Sequence, residues 1–101
     1  MRYLFFALSA ATLLTPSLSL ATEAPNKEMG QTLFHSDELG TNGRSCATCH
    51  PSGEGLEEIQ GWETPLLKQQ INDCIRGALE GAPLDNDSTE MNSLIIYLRS
   101  F

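Results

Sequence analysis

The chain has 101 residues, and its 6 Lys and Arg stand against 13 Asp and Glu for a formal charge of −7. That length holds one domain, and the acidic balance excludes nucleic acid and anionic membrane surfaces as natural partners, because like charges repel before contact forms. Cys46, Cys49 and Cys74 with His35 and His50 leave no second ligand pair for a structural zinc.

The N-terminus reads as an export signal over residues 1–21. Arg2 precedes an apolar run from Tyr3 to Leu14, Pro16 breaks it, and Ser19-Leu20-Ala21 offers small residues for cleavage before Thr22. A spanning helix needs about 20 apolar residues, and Ser9, Thr12 and Pro16 interrupt this run. No cysteine lies near the cleavage point to take a lipid. The expectation is a soluble periplasmic product with no stable membrane insertion after cleavage. Without Arg2 it carries 5 Lys and Arg against 13 Asp and Glu, a formal −8. Its 80 residues are few for a self-sufficient apolar core, so something else must complete the interior.

Residues 22–29 read as a flexible leader running into the start of the first helix, and 30–101 as the domain proper. Met29, Leu33 and Phe34 share a helical stripe, with Gly30 between them. Residues 36–45 are turn chemistry, broken by Gly40 and Gly43, and Pro51-Ser-Gly-Glu-Gly marks another loop. Leu56 to Trp62 is too short and mixed to assign. A longer helix follows: Thr64 reads as its cap and Pro65 as its first residue, Leu66, Leu67, Ile71, Cys74, Ile75 and Leu79 share a face, and Gly81 ends it. Asp87 or Ser88 caps a last helix, in which Met91, Leu94, Ile95 and Leu98 recur at i, i+3, i+4 and i+7. No strand-like alternation or internal repeat interrupts this pattern, so the fold class is all-α.

Cys46-Ala47-Thr48-Cys49-His50 carries the chemistry. In a C-x-x-C-H run two thiols at fixed spacing add to the two vinyl groups of a haem, and the adjacent imidazole reaches the iron from the same side. Cys46 and Cys49 are the covalent anchors and His50 is the proximal iron ligand. A C-x-x-C redox pair is the competing reading, but no βαβ pattern accompanies it. One covalent haem c also supplies the apolar interior that the short chain lacks.

With these residues in view, the chain resembles the class I cytochrome c family over essentially all of residues 22–101. Gly30-Gln-Thr-Leu33-Phe34, Gly43-Arg-Ser-Cys-Ala-Thr-Cys-His50 and Leu94-Ile-Ile-Tyr97-Leu98 are similar to that family's first helix, haem site and last helix. The resemblance implies a small cytochrome c fold in which the first and last helices cross beside the haem. It makes Gly30 the close-approach residue and Phe34, Tyr97 and Leu98 its packing partners.

The chain departs from the family at the distal iron ligand, since no Met-Pro followed by an aromatic precedes the last helix. Met91 is one candidate sulfur, but it stands on the core face of the last helix, where packing accounts for it. Cys74 is the other. It lies 24 residues after His50 and 23 before Tyr97, in the region where class I cytochromes present the distal ligand. A third thiol in an exported chain also asks for a role, a buried structural thiol or an intermolecular disulfide being the alternatives. Asn72-Asp-Cys74-Ile-Arg76, Gly81-Ala-Pro-Leu84 and Ser88-Thr-Glu90-Met91 resemble parts of the thiosulfate dehydrogenases and the Sox haem subunits. Those families place a Cys sulfur on iron, which implies Cys74 as distal ligand ahead of Met91 and of an open site. His35 reads as a surface or loop residue, and Trp62 suits the haem edge and Arg44 or Arg76 a propionate, each of these three being equally an ordinary surface-to-core residue at its position.

The function expected is one-electron transfer in a periplasmic respiratory or sulfur-oxidation chain, without catalysis, to redox partners that present a basic patch. The acidic surface also serves solubility. Two rivals remain: a subunit or relative of a sulfur-oxyanion-oxidising enzyme with Cys74 at the iron, and a gas-binding haem protein.

Overall fold

The computed structural model describes residues 23–101, and the export signal expected over residues 1–21 lies outside the described residues. Among the described residues the architecture is all-helical: α1 Lys27–His35, α2 Cys46–Cys49, α3 Thr64–Gly77 and α4 Thr89–Leu98, with 3-10 turns at Asp37–Leu39 and Glu57–Gly61. The segment left unassigned between Leu56 and Trp62 is thus one of these turns. No helix among the described residues is long and apolar enough to cross a membrane.

Helix α1 starts where its cap permits. Asn26 Oδ1 accepts from the Met29 N–H at 2.8 Å, satisfying a donor that the first turn leaves unpaired. The Asn26 N–H in turn donates to Ser93 Oγ on α4 at 3.0 Å. Within residues 22–29, expected to run from a leader into the first helix, Asn26 is anchored and residues 27–29 are helical. Gly30 is buried where α1 meets α4; a Cβ there would strike the Ser93 carbonyl and come within 2.6 Å of Tyr97 Cβ. Phe34 packs edge-on against Tyr97, with ring centroids 5.3 Å apart. Gly30, Phe34 and Tyr97 thus meet where α1 packs on α4.

Helix α3 is capped by Glu63, one residue earlier than expected, which puts Thr64 and Pro65 inside the first turn. Proline is tolerated there because its missing N–H would have found no partner in that turn anyway. The helix also ends early, at Gly77 rather than Gly81. The chain turns through Glu80 at φ 53°, and the Gly81 N–H closes back onto the Ile75 carbonyl at 2.8 Å. Gly81 is required by close approach instead: a Cβ there would strike the Leu39 carbonyl and stand 2.9 Å from Gly40 Cα.

Spacing by four residues turns Leu67, Ile71 and Ile75 of α3 inward, where they meet Met91, Leu94 and Leu98 of α4 in one core with Phe34, Ile59 and Leu79. Leu66 falls off that stripe and is 51% exposed. Two polar clamps close the core's edges. Buried Asn72 donates its amide to the Leu84 carbonyl at 2.9 Å and accepts from the Leu84 N–H at 2.8 Å, so the loop after α3 is held as a paired strand would be. Arg99, just past α4, donates to the carbonyls of Ile59 and Trp62, both at 2.6 Å. That pins the second 3-10 turn to the end of α4.

Candidate cofactor cleft

The motif residues are set by two short devices. The Ser45 N–H donates to Thr48 Oγ1 at 2.9 Å and the Thr48 N–H to the Ser45 carbonyl at 3.1 Å, which winds α2 into a single turn. Cys46 and Cys49, three apart on that turn, share one face. The chain then leaves the helix at His50, whose N–H still bonds the Cys46 carbonyl at 3.0 Å.

The imidazole is held by the loop that follows. His50 Nδ1 lies 2.6 Å from the Glu54 carbonyl oxygen. A carbonyl only accepts, so Nδ1 carries a proton, and in the neutral ring the lone pair is then on Nε2. Gly53 and Gly55 turn the loop at φ 79° and 82°, a conformation that side chains disfavour. A Cβ at Gly55 would also come within 3.4 Å of Nδ1.

Cys46, Cys49 and His50 open onto one cavity of about 300 Å³, at the small end of the range that takes organic ligands. Its wall is mostly apolar: Phe34, Leu56, Ile59, Trp62, Leu67, Ile71, Leu79, Leu94 and Leu98, from α1, the second 3-10 turn, α3 and α4. Arg44, Glu58 and Gln70 are the larger polar side chains on it. Burial first, and then the electrostatic influence of nearby Cys74, push the Cys46 thiol up to about 11.

The distal candidates part company. Cys74 lines the cavity, with its Sγ accepting from Gln70 Nε2 at 3.7 Å. Its side chain is exposed, so it stands on the cavity wall and is not the buried structural thiol that was the alternative: α3 presents Ile71 and Ile75 to the core and Cys74 to the cavity. Met91 has no exposed surface and does not line the cavity. Trp62 and Arg44 are on the wall. Arg76 is outside it, paired with Asp73 at 3.1 Å, and His35 is exposed, with Nδ1 2.8 Å from the Gln31 carbonyl oxygen. Among the described residues no three His, Cys, Asp or Glu side chains gather to hold a bare metal ion.

The sequence reading missed Gln70 and the Glu54 carbonyl. Gln70 carries a legible signal, standing four residues before Cys74 and hence one turn away on the same face. The Glu54 carbonyl carries none, because any residue supplies a backbone oxygen. No family model, curated protein or solved structure matches the chain.

Proposed function

We propose that this chain is a one-electron carrier of the class I cytochrome c type, working in the periplasm with a single haem c. The observation that carries the reading is the convergence of Cys46, Cys49 and His50 on one apolar cavity, with the imidazole already oriented. Two thiols on one helical turn beside a free imidazole nitrogen are the donor set a covalent haem needs, and the apolar wall suits a flat macrocycle. When bound, that group supplies a reversible one-electron couple at iron.

The chain's own residues do the rest. Cys46 and Cys49 hold the group covalently, and His50 presents Nε2 while Glu54 keeps its ring from rotating. Cys74 is the distal ligand in this reading, because it is the sulfur outside the motif that lines the cavity, whereas Met91 packs the core. The leucines and isoleucines of the wall keep water away, which limits solvent reorganisation as charge changes. Arg44 supplies a cation on the wall suited to a carboxylate of the group. An acidic surface directs the protein to partners with a basic docking patch.

The mature chain, expressed with haem-attachment machinery, should exceed its polypeptide mass by one haem; the bare mass overturns the proposal. Cys74→Ala should convert the ferric spectrum from low spin toward high spin or an adventitious ligand. Met91→Leu should leave it unchanged, and the reverse pattern assigns the ligand to the last helix. Purified protein should cycle reversibly at a mediated electrode without turning over thiosulfate or sulfite. Sustained substrate-dependent reduction by the protein alone would instead establish an enzyme.

A further inference from the structure

We infer that Gln70 is a positioning residue that donates its amide to the Cys74 sulfur and thereby raises the potential of the group held in the cleft. The inference rests on the reading of Cys74 as an iron ligand and deepens it. Three observations carry it. Gln70 Nε2 stands 3.7 Å from Cys74 Sγ, within hydrogen-bonding reach of a sulfur acceptor. The two residues are four apart within α3, so helix geometry holds them adjacent whatever the loops around them do. Both line the cavity that carries the haem-binding motif.

The direction of the effect follows from charge. A thiolate donates strongly to ferric iron and so favours the oxidised state, which lowers the potential. An amide N–H aimed at the sulfur draws electron density away from the metal and also steadies the sulfur's charge. The ferric state gains more from a strong sulfur donor than the ferrous state does, so weakening the donor raises the potential. Glutamine suits this position because it presents a neutral donor; a Lys would add a full charge, and a Glu would offer only acceptors when ionised. The wall itself supplies no competing amide, since its other large polar side chains are Arg44 and Glu58.

The test uses the haem-loaded full mature protein and reads midpoint potential by optical redox titration together with the ferric spectrum. Gln70→Leu removes the donor while keeping a good helix former. It should keep the low-spin spectrum, shift the sulfur-to-iron charge-transfer band, and lower the midpoint. Gln70→Glu should lower the midpoint further at neutral pH, because it also adds negative charge. Gln69→Leu, an exposed neighbour on the same helix that does not line the cavity, should change neither reading and controls for helix polarity. Helical circular dichroism of each variant establishes folding. An unchanged midpoint and band in Gln70→Leu, while Cys74→Ala does alter the ferric spectrum, overturns the role of Gln70 alone. A ferric spectrum indifferent to Cys74→Ala overturns both the ligand assignment and this inference.

Discussion

Gly30 and the Ser93 carbonyl leave no room for a side chain between them, and that contact sets how closely α1 approaches α4. The same crossing is fastened by polar contacts, since Ser93 Oγ accepts from the Asn26 N–H and donates to Met29 Sδ at 3.3 Å. Ser93 is fully buried, so its hydroxyl has both its donor and its acceptor roles filled inside the crossing. Phe34, Tyr97 and Phe101 extend the contact as an edge-on aromatic group, with Tyr97 and Phe101 centroids 5.0 Å apart.

Gly30→Ala should therefore destabilise the protein although alanine is the better helix former by about 1 kcal/mol. The obstacle is backbone, which cannot swing aside, so the helices must separate. Overpacking of this kind costs about 1–3 kcal/mol. Urea unfolding followed by circular dichroism should show a lower midpoint, and an unchanged or raised one would mean the crossing relaxes freely.

Asn72→Leu should cost about 2–3 kcal/mol. The new side chain is similar in size and apolar, but it strands the Leu84 N–H and carbonyl that Asn72 now satisfies. Unpaired buried polar groups cost about 1–3 kcal/mol each, and some of that is recovered if water reaches Leu84, which is only partly buried. The same unfolding measurement decides it, and faster hydrogen exchange at the Leu84 amide would locate the damage.

Arg99→Gln should loosen the cleft wall from the far side. Arg99 holds the carbonyls of Ile59 and Trp62, and hydrogen bonds to a charged donor contribute about 1.5–3 kcal/mol. We expect a loss within that range. In the haem-free chain it should be accompanied by a red shift of Trp62 emission as the ring gains water; Trp62 is the single tryptophan, so the signal is unambiguous.

The Cys46 thiol gives a pH signature to the haem-free chain. Its folded value is raised from 9.0 to about 11, mainly by burial. The folded state therefore holds a proton that the unfolded state has released between those values. Stability is fully present below about pH 9 and falls as pH rises toward 11. Urea midpoints measured across that window should drop, and Cys46→Ala should remove Cys46's share of the slope. Under the proposed haem attachment the thiol becomes a thioether with no titrating proton, so protein carrying that group should lack this share as well. Alkylation at pH 8 should reach exposed Cys49 before Cys46, read by peptide mass spectrometry, with urea abolishing the difference.

Much was legible in the sequence because local chemistry writes itself at short range. The periods of Leu67, Ile71 and Ile75 and of Met91, Leu94 and Leu98 declare two helices, since an apolar stripe at four-residue spacing has no other use in a polar chain. The C-x-x-C-H run brings its side chains together by spacing alone, because two thiols and an imidazole need only one turn of chain to converge. The glycines at 53 and 55 mark a tight loop for a similarly local reason.

Tertiary structure alone decided the rest. Whether Cys74 or Met91 faces the cavity depends on how α3 and α4 rotate about their axes when packed, and both residues stand on apolar stripes that read alike. The end of α3 at Gly77 was hidden because Gly81 is selected by the backbone of Leu39 and Gly40, some 40 residues away in sequence. Asn26, Gln60 and Arg99 look like ordinary surface polar residues. Each satisfies a backbone group or side chain distant in sequence, Gln60 Nε2 donating to the Leu98 carbonyl at 3.0 Å. Such partners exist only once the chain has folded, because a hydrogen bond is chosen by proximity in space and the sequence orders residues along one dimension.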